Sequence, residues 1–443
     1  MSYQEQDTIV ALATANGTGG IGIVRLSGSN ALHIAEQISK RKLKPRFAHY
    51  VNFYNQHNEI IDNGIVLFFK NPNSFTGEDC VELQGHGGQV VLQMLVQACL
   101  NLGARLANPG EFSYRAFLNN KIDLVQAEAI SDLISASSNS AARNAMHSLR
   151  GDFSHKITVV NKQIIDLHVF LEATLDFPDE EINFVDLEQV QQKITAILKQ
   201  LNAILLSANI SVMVQNGMRV VIAGLPNAGK SSLMNALAGY DVAIVTDIAG
   251  TTRDVLRENM QINGIAVQFI DTAGLRIAND VIEQIGIART HDSLNSANHI
   301  VAVIDVNNHY NLAQLRSNFP ADVALTFVFN KIDLANITPK IEQINGDTYI
   351  YLSAKTKDGL NLLCNHLTSA FNPAGETSFS ARERHITALQ QAKQTLLNSI
   401  NQTLLELIAE DLRTTSKYLS TITGEFTNND LLTEIFSNFC IGK

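Results

Sequence analysis

The stretch Gly224-Leu-Pro-Asn-Ala-Gly-Lys-Ser231 constrains this chain more than any other. It reads GxxxxGK[ST], follows the apolar run Met218 to Ala223 and precedes a helical spacing of Leu233, Ala236 and Leu237. A buried strand, a glycine turn and a helix thus come in the order that a phosphate-binding loop requires. Gly224 and Gly229 let backbone N–H groups converge on phosphates, and Asn227, Ala228 and Ser232 complete the contacts expected there. Lys230 is expected at the β- and γ-phosphates and the Ser231 hydroxyl on Mg²⁺. The alternative, a plain glycine turn, loses ground because three more strand-end motifs follow. Asp271-Thr272-Ala273-Gly274 comes after Ile265 to Ile270, with Asp271 suited to hold Mg²⁺ through water and the Gly274 N–H to face the γ-phosphate. Asn330-Lys331-Ile-Asp333 comes after Leu325 to Phe329, and the Asp333 carboxylate can accept both the N1–H and the 2-amino group of guanine. Ser353-Ala354-Lys355, after Thr348 to Leu352, completes a base pocket. Together they predict a guanine-nucleotide-binding domain.

That domain cannot be the whole chain, since 443 residues exceed the roughly 250–300 at which single cores stop growing. The formal charge of −10 gives no global positive field for nucleic acid, so any RNA contact needs a local patch or another subunit. Arg41, Lys42, Lys44 and Arg46 make the one dense basic cluster, which reads as a solvated loop. Cys80, Cys99, Cys364 and Cys440 lack metal-ligand spacing and fit a reducing compartment. No secretion signal and no stretch of membrane-span length are read, so a cytoplasmic location is expected.

Residues 1–120 read as a first unit, with strands at Thr8 to Ala13, Gly22 to Leu26, Gly64 to Phe69 and Cys80 to Leu83. Helical spacing at Ala31, Ile34, Ala35 and Ile38, and again from Val90 to Leu100, makes it α+β or ferredoxin-like. His86 reads as a turn residue without a partner. Residues 121–213 are helical, through Leu124 to Ile134, Ile157 to Leu175 and Leu187 to Leu205. Asp176 and the acids Asp179 to Glu181 read as a charged loop between helices rather than a metal cluster. The nucleotide domain takes 214–375, and 376–443 returns to helical periodicity from His385 to Leu419, with a short helix near Asn429 to Phe439. The two helical stretches can form one domain into which the nucleotide domain is inserted.

Across this whole length the chain resembles the tRNA modification GTPase family MnmE, also called TrmE. The resemblance rests on Asn73 to Asp79, Glu82 to Gly88, Pro109 to Phe112, Phe117 to Asn119, Gln126 to Ala129, Asp176 to Glu181, Ile422 to Phe426 and the terminal Cys440 to Lys443. It implies a multidomain α/β and α protein: a folate-binding-like, dimerising N-terminal domain, a helical domain and an inserted Ras-like P-loop GTPase domain. It also implies a homodimer that works with MnmG (GidA), a partner using FAD and NADH. The pair would add an aminomethyl or carboxymethylaminomethyl group at C5 of the wobble uridine in certain tRNAs, drawing one carbon from methylene-tetrahydrofolate. Carried onto this sequence, the folate contacts fall on Arg25, Glu82, Lys121 and Lys443, where cations suit a glutamyl carboxylate and Glu82 suits a pterin edge. Cys440 stands in the terminal motif, where a part in the modification chemistry and simple burial both remain open.

For hydrolysis, the position after Asp-x-x-Gly that often carries a water-orienting glutamine is Leu275, which cannot serve. Arg253 and Arg276 stay open as arginine fingers. The resemblance implies K⁺ instead, held by Asn227 of the phosphate loop and by Thr246, Ile248 and Thr251 of a second loop that also contains Asp247, Ala249 and Gly250. The resemblance also implies a switch ligand for Mg²⁺ at Thr251 or Thr252, of which Thr252 is the expected one, and a water-orienting acid at Glu283. Two other classes share parts of this pattern. A ribosome-assembly GTPase would need only residues 214–375, and a GTP-controlled scaffold would leave all chemistry to its partner.

Overall fold

A computed structural model describes residues 7–15, 17–176, 187–224, 226–239, 257–263, 265–271, 297–308, 310–317, 319–321, 323–344, 346–369, 379–425, 432, 435, 436, 439 and 442. The chain divides into two compact units: residues 1–131, 148–201 and 388–443 form the first, residues 132–147 and 202–387 the second.

The first unit begins with β1 (Ile9–Leu12), β2 (Gly19–Ser27), α1 (Ala31–Ser39), β3 (His49–Tyr54), β4 (Ile60–Phe69), β5 (Cys80–Gly87), α2 (Gln89–Asn101) and β6 (Arg105–Leu106). They make a six-stranded sheet in the order β3-β4-β5-β2-β1-β6, antiparallel except where β6 runs parallel to β1. The α+β expectation holds, with six strands rather than the four of a ferredoxin-like unit. The buried and exposed residues of β3 alternate, as a sheet covered on one face requires. The covering comes from α1 and α2: Ile34 and Ile38 pack on Val24, Leu26, Val66 and Leu83, each isoleucine contributing about 2 kcal/mol by burial. His86 lies in β5 instead of a turn and has a partner in Asp62, whose Oδ1 is 2.7 Å from its Nδ1. Burial opposes ionisation of Asp62, but hydrogen bonds from the His86 amide and imidazole hold its carboxyl below the usual range.

Helices α3 (Glu111–Leu118), α4 (Leu124–Ile134), α5 (Asn139–Leu149), α6 (Asp152–Asp176) and α7 (Leu187–Asn216) follow. Among the described residues α7 alone has the length and mean hydropathy, 1.5 over its best window, of a membrane span, which corrects the expectation that no stretch approaches one. Its Val190, Ile194, Leu201 and Ala208 are buried against protein, while Lys193 and Lys199 lie exposed on the same helix. Such a helix is amphipathic.

The nucleotide-type sheet is built from β7 (Met218–Ala223), α8 (Lys230–Ala238), β8 (Arg257–Ile262), β9 (Ile265–Asp271), β10 (His299–Asp305), α9 (Leu312–Arg316), β11 (Ala324–Asn330), α10 (Ile332–Ala335), β12 (Lys340–Ile344), β13 (Asp347–Tyr351) and α11 (Leu360–Ser369). Its seven strands run β12-β13-β11-β10-β7-β9-β8, with the inner five parallel and both edges antiparallel. Parallel strands covered on both faces read as continuous apolar runs, and β10 is buried along almost all of its length. One face packs Leu233, Leu237, Leu363 and Cys364 against Val220, Val303 and Val328; the other packs Val221, Ile300 and Phe327 with Leu312 and Tyr349.

Next come α12 (Glu383–Ile400) and α13 (Leu405–Thr423). These are two helices where the sequence reads as one periodic stretch, because the turn bonds from Asn401 and Gln402 back to Asn398 and Ser399 close α12 first. Within the first unit α13 lies along α6, where Asn161 Nδ2 donates to Ser420 Oγ at 3.1 Å. Gln191 of α7 caps the Ile400 carbonyl of α12 in the same unit.

Candidate functional site

The carboxyl ends of the parallel strands in the second unit bring three sequence motifs together, at the place where an open α/β sheet leaves room for a ligand. The phosphate loop connects β7 to α8 with Gly224 at φ 143° and Gly229 at φ 94°. A Cβ at Gly224 would stand 2.2 Å from the Val303 carbonyl oxygen, and one at Gly229 would stand 2.2 Å from Asn330 Nδ2. Only glycine fits either place. Lys230 opens α8 and folds back across the loop, its Nζ donating to Gly224 O at 2.7 Å. Ser231 and Ser232 are exposed in the first turn of the same helix, where backbone N–H groups point outward toward an anion.

Asn330 fastens three of these segments to one another. Its Nδ2 donates to Ala228 O at 3.0 Å, and its Oδ1 accepts from the Lys331 amide at 2.8 Å and the Ala354 amide at 2.9 Å. The residue is almost wholly buried, so each bond it makes avoids leaving a polar group unsatisfied, at about 1–3 kcal/mol per orphan. Beside it, Ser353 Oγ donates to Asp333 Oδ1 at 2.7 Å and fixes the carboxylate that sequence assigned to guanine. Lys355 is exposed next to that pair. Asp271 ends β9 in register with Ile222 of β7, one strand from the loop.

Sequence reading missed one member of this cluster, Asp305. Lys331, at φ 70°, donates from Nζ to Asn227 O at 2.8 Å and to Asp305 Oδ2 at 2.7 Å. Asp305 ends β10 directly opposite Asn330. The hydrogen bond from Lys331 holds its carboxyl below the usual range, burial working weakly the other way. An acidic residue closing the apolar run His299 to Ile304 is the signal that could have marked it.

In the first unit, register places Arg25 of β2 opposite Glu82 of β5. Arg25 Nε and Nη2 both donate to Glu82 Oε1, at 3.2 and 2.9 Å, and Gln84 Nε2 donates to Oε2 at 3.2 Å. The rings of Phe75 and Phe112 lie 5.8 and 5.9 Å from the guanidinium carbon, and Arg25 Nη1 also reaches the Gly442 carbonyl at 3.5 Å. Lys121 donates to the Pro72 carbonyl at 3.0 Å and packs against Gly77, so it grips the loop that carries Phe75. Thr246, Asp247, Ile248, Ala249, Gly250, Thr251, Thr252, Thr272, Ala273, Gly274, Glu283, Cys440 and Lys443 lie outside the described residues.

Comparison with known proteins separates this arrangement from other phosphate-loop proteins. The family model of the "GTP-binding protein TrmE N-terminus" matches residues 8–121, and that of the "MnmE helical domain" matches residues 124–440. This chain belongs to the MnmE family. The tRNA modification GTPase MnmE of Hydrogenovibrio crunogenus is 49% identical over 451 residues, covering 100% of both chains. That of Saccharophagus degradans is 50% identical over 456 residues, again with 100% of each covered. Among solved structures, the G domain of the T. maritima FeoB iron transporter is 25% identical and covers 34% of this chain and 98% of that one, with a TM-score of 0.26. Membership in the MnmE family thus rests on the whole length, the N-terminal sheet and the helical segments included.

Proposed function

We propose that this chain is a GTPase acting in tRNA modification, and that it hydrolyses GTP with Mg²⁺ and K⁺ to drive folate-dependent addition of an aminomethyl or carboxymethylaminomethyl group at C5 of the wobble uridine. The observation that carries the first half is Asn330, which ties the phosphate loop to the Ser353–Ala354 turn and leaves Asp333 held beside it. A carboxylate fixed in that way accepts two donors from guanine and would meet adenine's N1 acceptor with repulsion. The cradle that a Cβ at Gly229 would fill suits a phosphate chain.

In this reading Lys230 exchanges its bond to Gly224 O for the β- and γ-phosphate oxygens, and Glu283 orients the attacking water. Ser231 and Thr252 would hold Mg²⁺, while Asn227, Thr246, Ile248 and Thr251 would hold K⁺. The cations supply positive charge where negative charge gathers on the transferred phosphoryl group. Lys331 holds the Asn227 main chain by donating to its carbonyl oxygen.

The folate would lie against Arg25, Glu82, Lys121 and Lys443. That assignment is supported by the Arg25–Glu82 pair, which sets a cation and a carboxylate side by side next to the ring of Phe75. We assign domain boundaries near 120, 213 and 375, a homodimer, a partner of the FAD-using MnmG type and a cytoplasmic location; buried cysteines at Cys80, Cys99 and Cys364 suit a reducing compartment. Nucleoside analysis of tRNA from cells carrying Asp333→Asn in place of the wild-type chain tests the reading. Wobble-uridine modification should fall together with GTP affinity, and unaltered tRNA in cells whose variant has lost GTP binding would refute the coupling.

A further inference from the structure

We propose that the cationic loop between α1 and β3, together with Phe47 and Tyr50, is a docking surface for the phosphate backbone of RNA. Lys40, Arg41, Lys42, Lys44 and Arg46 fall within one short stretch and all five are exposed, in a chain whose formal charge is −10. Among the described residues Glu36 is the one carboxylate bonded to this stretch, through Lys42 Nζ at 2.6 Å. A positive surface of this kind on an acidic protein creates the local field that the whole molecule lacks.

Its geometry argues against a merely solvated loop. Leu43 is buried in the core of the N-terminal sheet, and its amide donates to Glu36 Oε1 at 3.1 Å. The Lys44 amide donates to His49 Nε2 at 2.9 Å, and the Phe47 amide to Lys44 O at 3.4 Å. Arg46, at φ 59°, is held by its amide on Phe68 O at 2.8 Å, and its Nη2 reaches Asn73 O at 3.2 Å. The backbone is therefore fixed at several points while the Arg41 and Lys44 side chains project from it. Fixing the backbone in advance lowers the entropy lost when those cations meet a partner.

The aromatic residues select the partner. Phe47 is 55% exposed and Tyr50 69% exposed, the latter on the edge strand β3 with its hydroxyl donating to Asn63 Oδ1 at 2.8 Å. Lys40 Nζ stands 3.7 Å from the ring centre of Tyr54, four residues beyond Tyr50 in the same strand and half-buried. Cations interleaved with exposed flat rings match single-stranded or looped RNA, where phosphates pair with the charges and unstacked bases lie on the rings. A lipid surface calls for a continuous apolar wedge, which one exposed phenylalanine does not supply. The identity of the RNA as tRNA rests on the function proposed above; the cationic surface itself does not.

The test uses the intact chain and its binding to bulk tRNA between 50 and 200 mM KCl. Arg41→Gln/Lys44→Gln removes two charges whose side chains make no bond that the fold depends on. It should weaken binding about tenfold at 100 mM and reduce the slope of log affinity against log salt by about 1.5. Phe47→Ala should weaken binding a few-fold with the slope unchanged. GTP turnover without RNA should be the same in all three proteins. Binding by the wild type with equal affinity and slope in the double variant overturns the surface and leaves the tRNA function standing. Failure of the wild type to bind tRNA at all overturns both. Loss of binding to phosphatidylserine vesicles without loss of tRNA binding overturns it in favour of a membrane.

Discussion

Lowering the pH from 7 to 5 should destabilise the second unit through one buried histidine. His299 opens β10 and shares the Thr326 hydroxyl with His366: the Thr326 Oγ1 lies 2.8 Å from His299 Nε2 and 2.9 Å from His366 Nε2. Burial, with the nearby His366 adding to it, pushes the pKa of His299 from 6.5 down to about 4. The unfolded chain takes up this proton near pH 6.5 and the folded chain only near pH 4. The folded state therefore keeps its full advantage above pH 6.5 and loses it progressively as the pH falls toward 4. At 1.36 kcal/mol per pH unit that gap is worth about 3 kcal/mol, of which about 2 kcal/mol is gone by pH 5. His299→Gln retains a hydrogen-bonding group for Thr326 and removes the titration. Hydrogen exchange in graded urea, read on peptides from β10 and β11 of the intact chain, isolates this unit from the other. Between pH 7 and pH 5 the wild type should lose about 2 kcal/mol more opening free energy than the variant. Equal losses would refute a neutral, desolvated imidazole, and so would an NMR titration of His299 with its midpoint near 6.5.

Three further outcomes are expected. Gly229→Ala places a methyl group 2.2 Å from Asn330 Nδ2 at φ 94°, so GTP affinity should fall at least a hundredfold while far-UV circular dichroism is retained; near-normal affinity in a filter-binding assay would show that the loop can relax. GTP turnover should be fast in K⁺ and much slower in Na⁺, and Glu283→Ala should lower kcat more than it raises KM, whereas identical turnover in the two salts rejects the cation reading. Arg25→Ala removes the guanidinium bonded to Glu82, so a stable tetrahydrofolate analogue should bind at least tenfold more weakly by calorimetry, and unchanged affinity would place that ligand elsewhere.

Local rules made much of the chain legible. Gly224 and Gly229 are marked in the sequence because a loop that turns its amides inward needs positive φ at fixed offsets from a strand and a helix. The strands ending at Ala223, Asp271, Asn330 and Tyr351 could be read from apolar runs, since burial on both faces writes itself into consecutive residues. The helical spacing that became α6 and α7 was legible for the same reason. Strands β3, β6, β8, β10 and β12 were not read; β6 has only two residues, too few to display any period.

Tertiary structure decided what depends on distant partners. That Asn330 binds Ala228 and Ala354, that Asp305 meets Lys331, and that His86 leans on Asp62 all follow from which strands lie side by side. The pairing of Arg25 with Glu82 follows from the register of β2 on β5, and a slip of one residue would turn the two side chains to opposite faces. A motif needs only the geometry of its own few peptide units, so sequence determines it alone. Strand order and register are fixed by burying the whole apolar surface at once, and they become definite only when the sheet has formed.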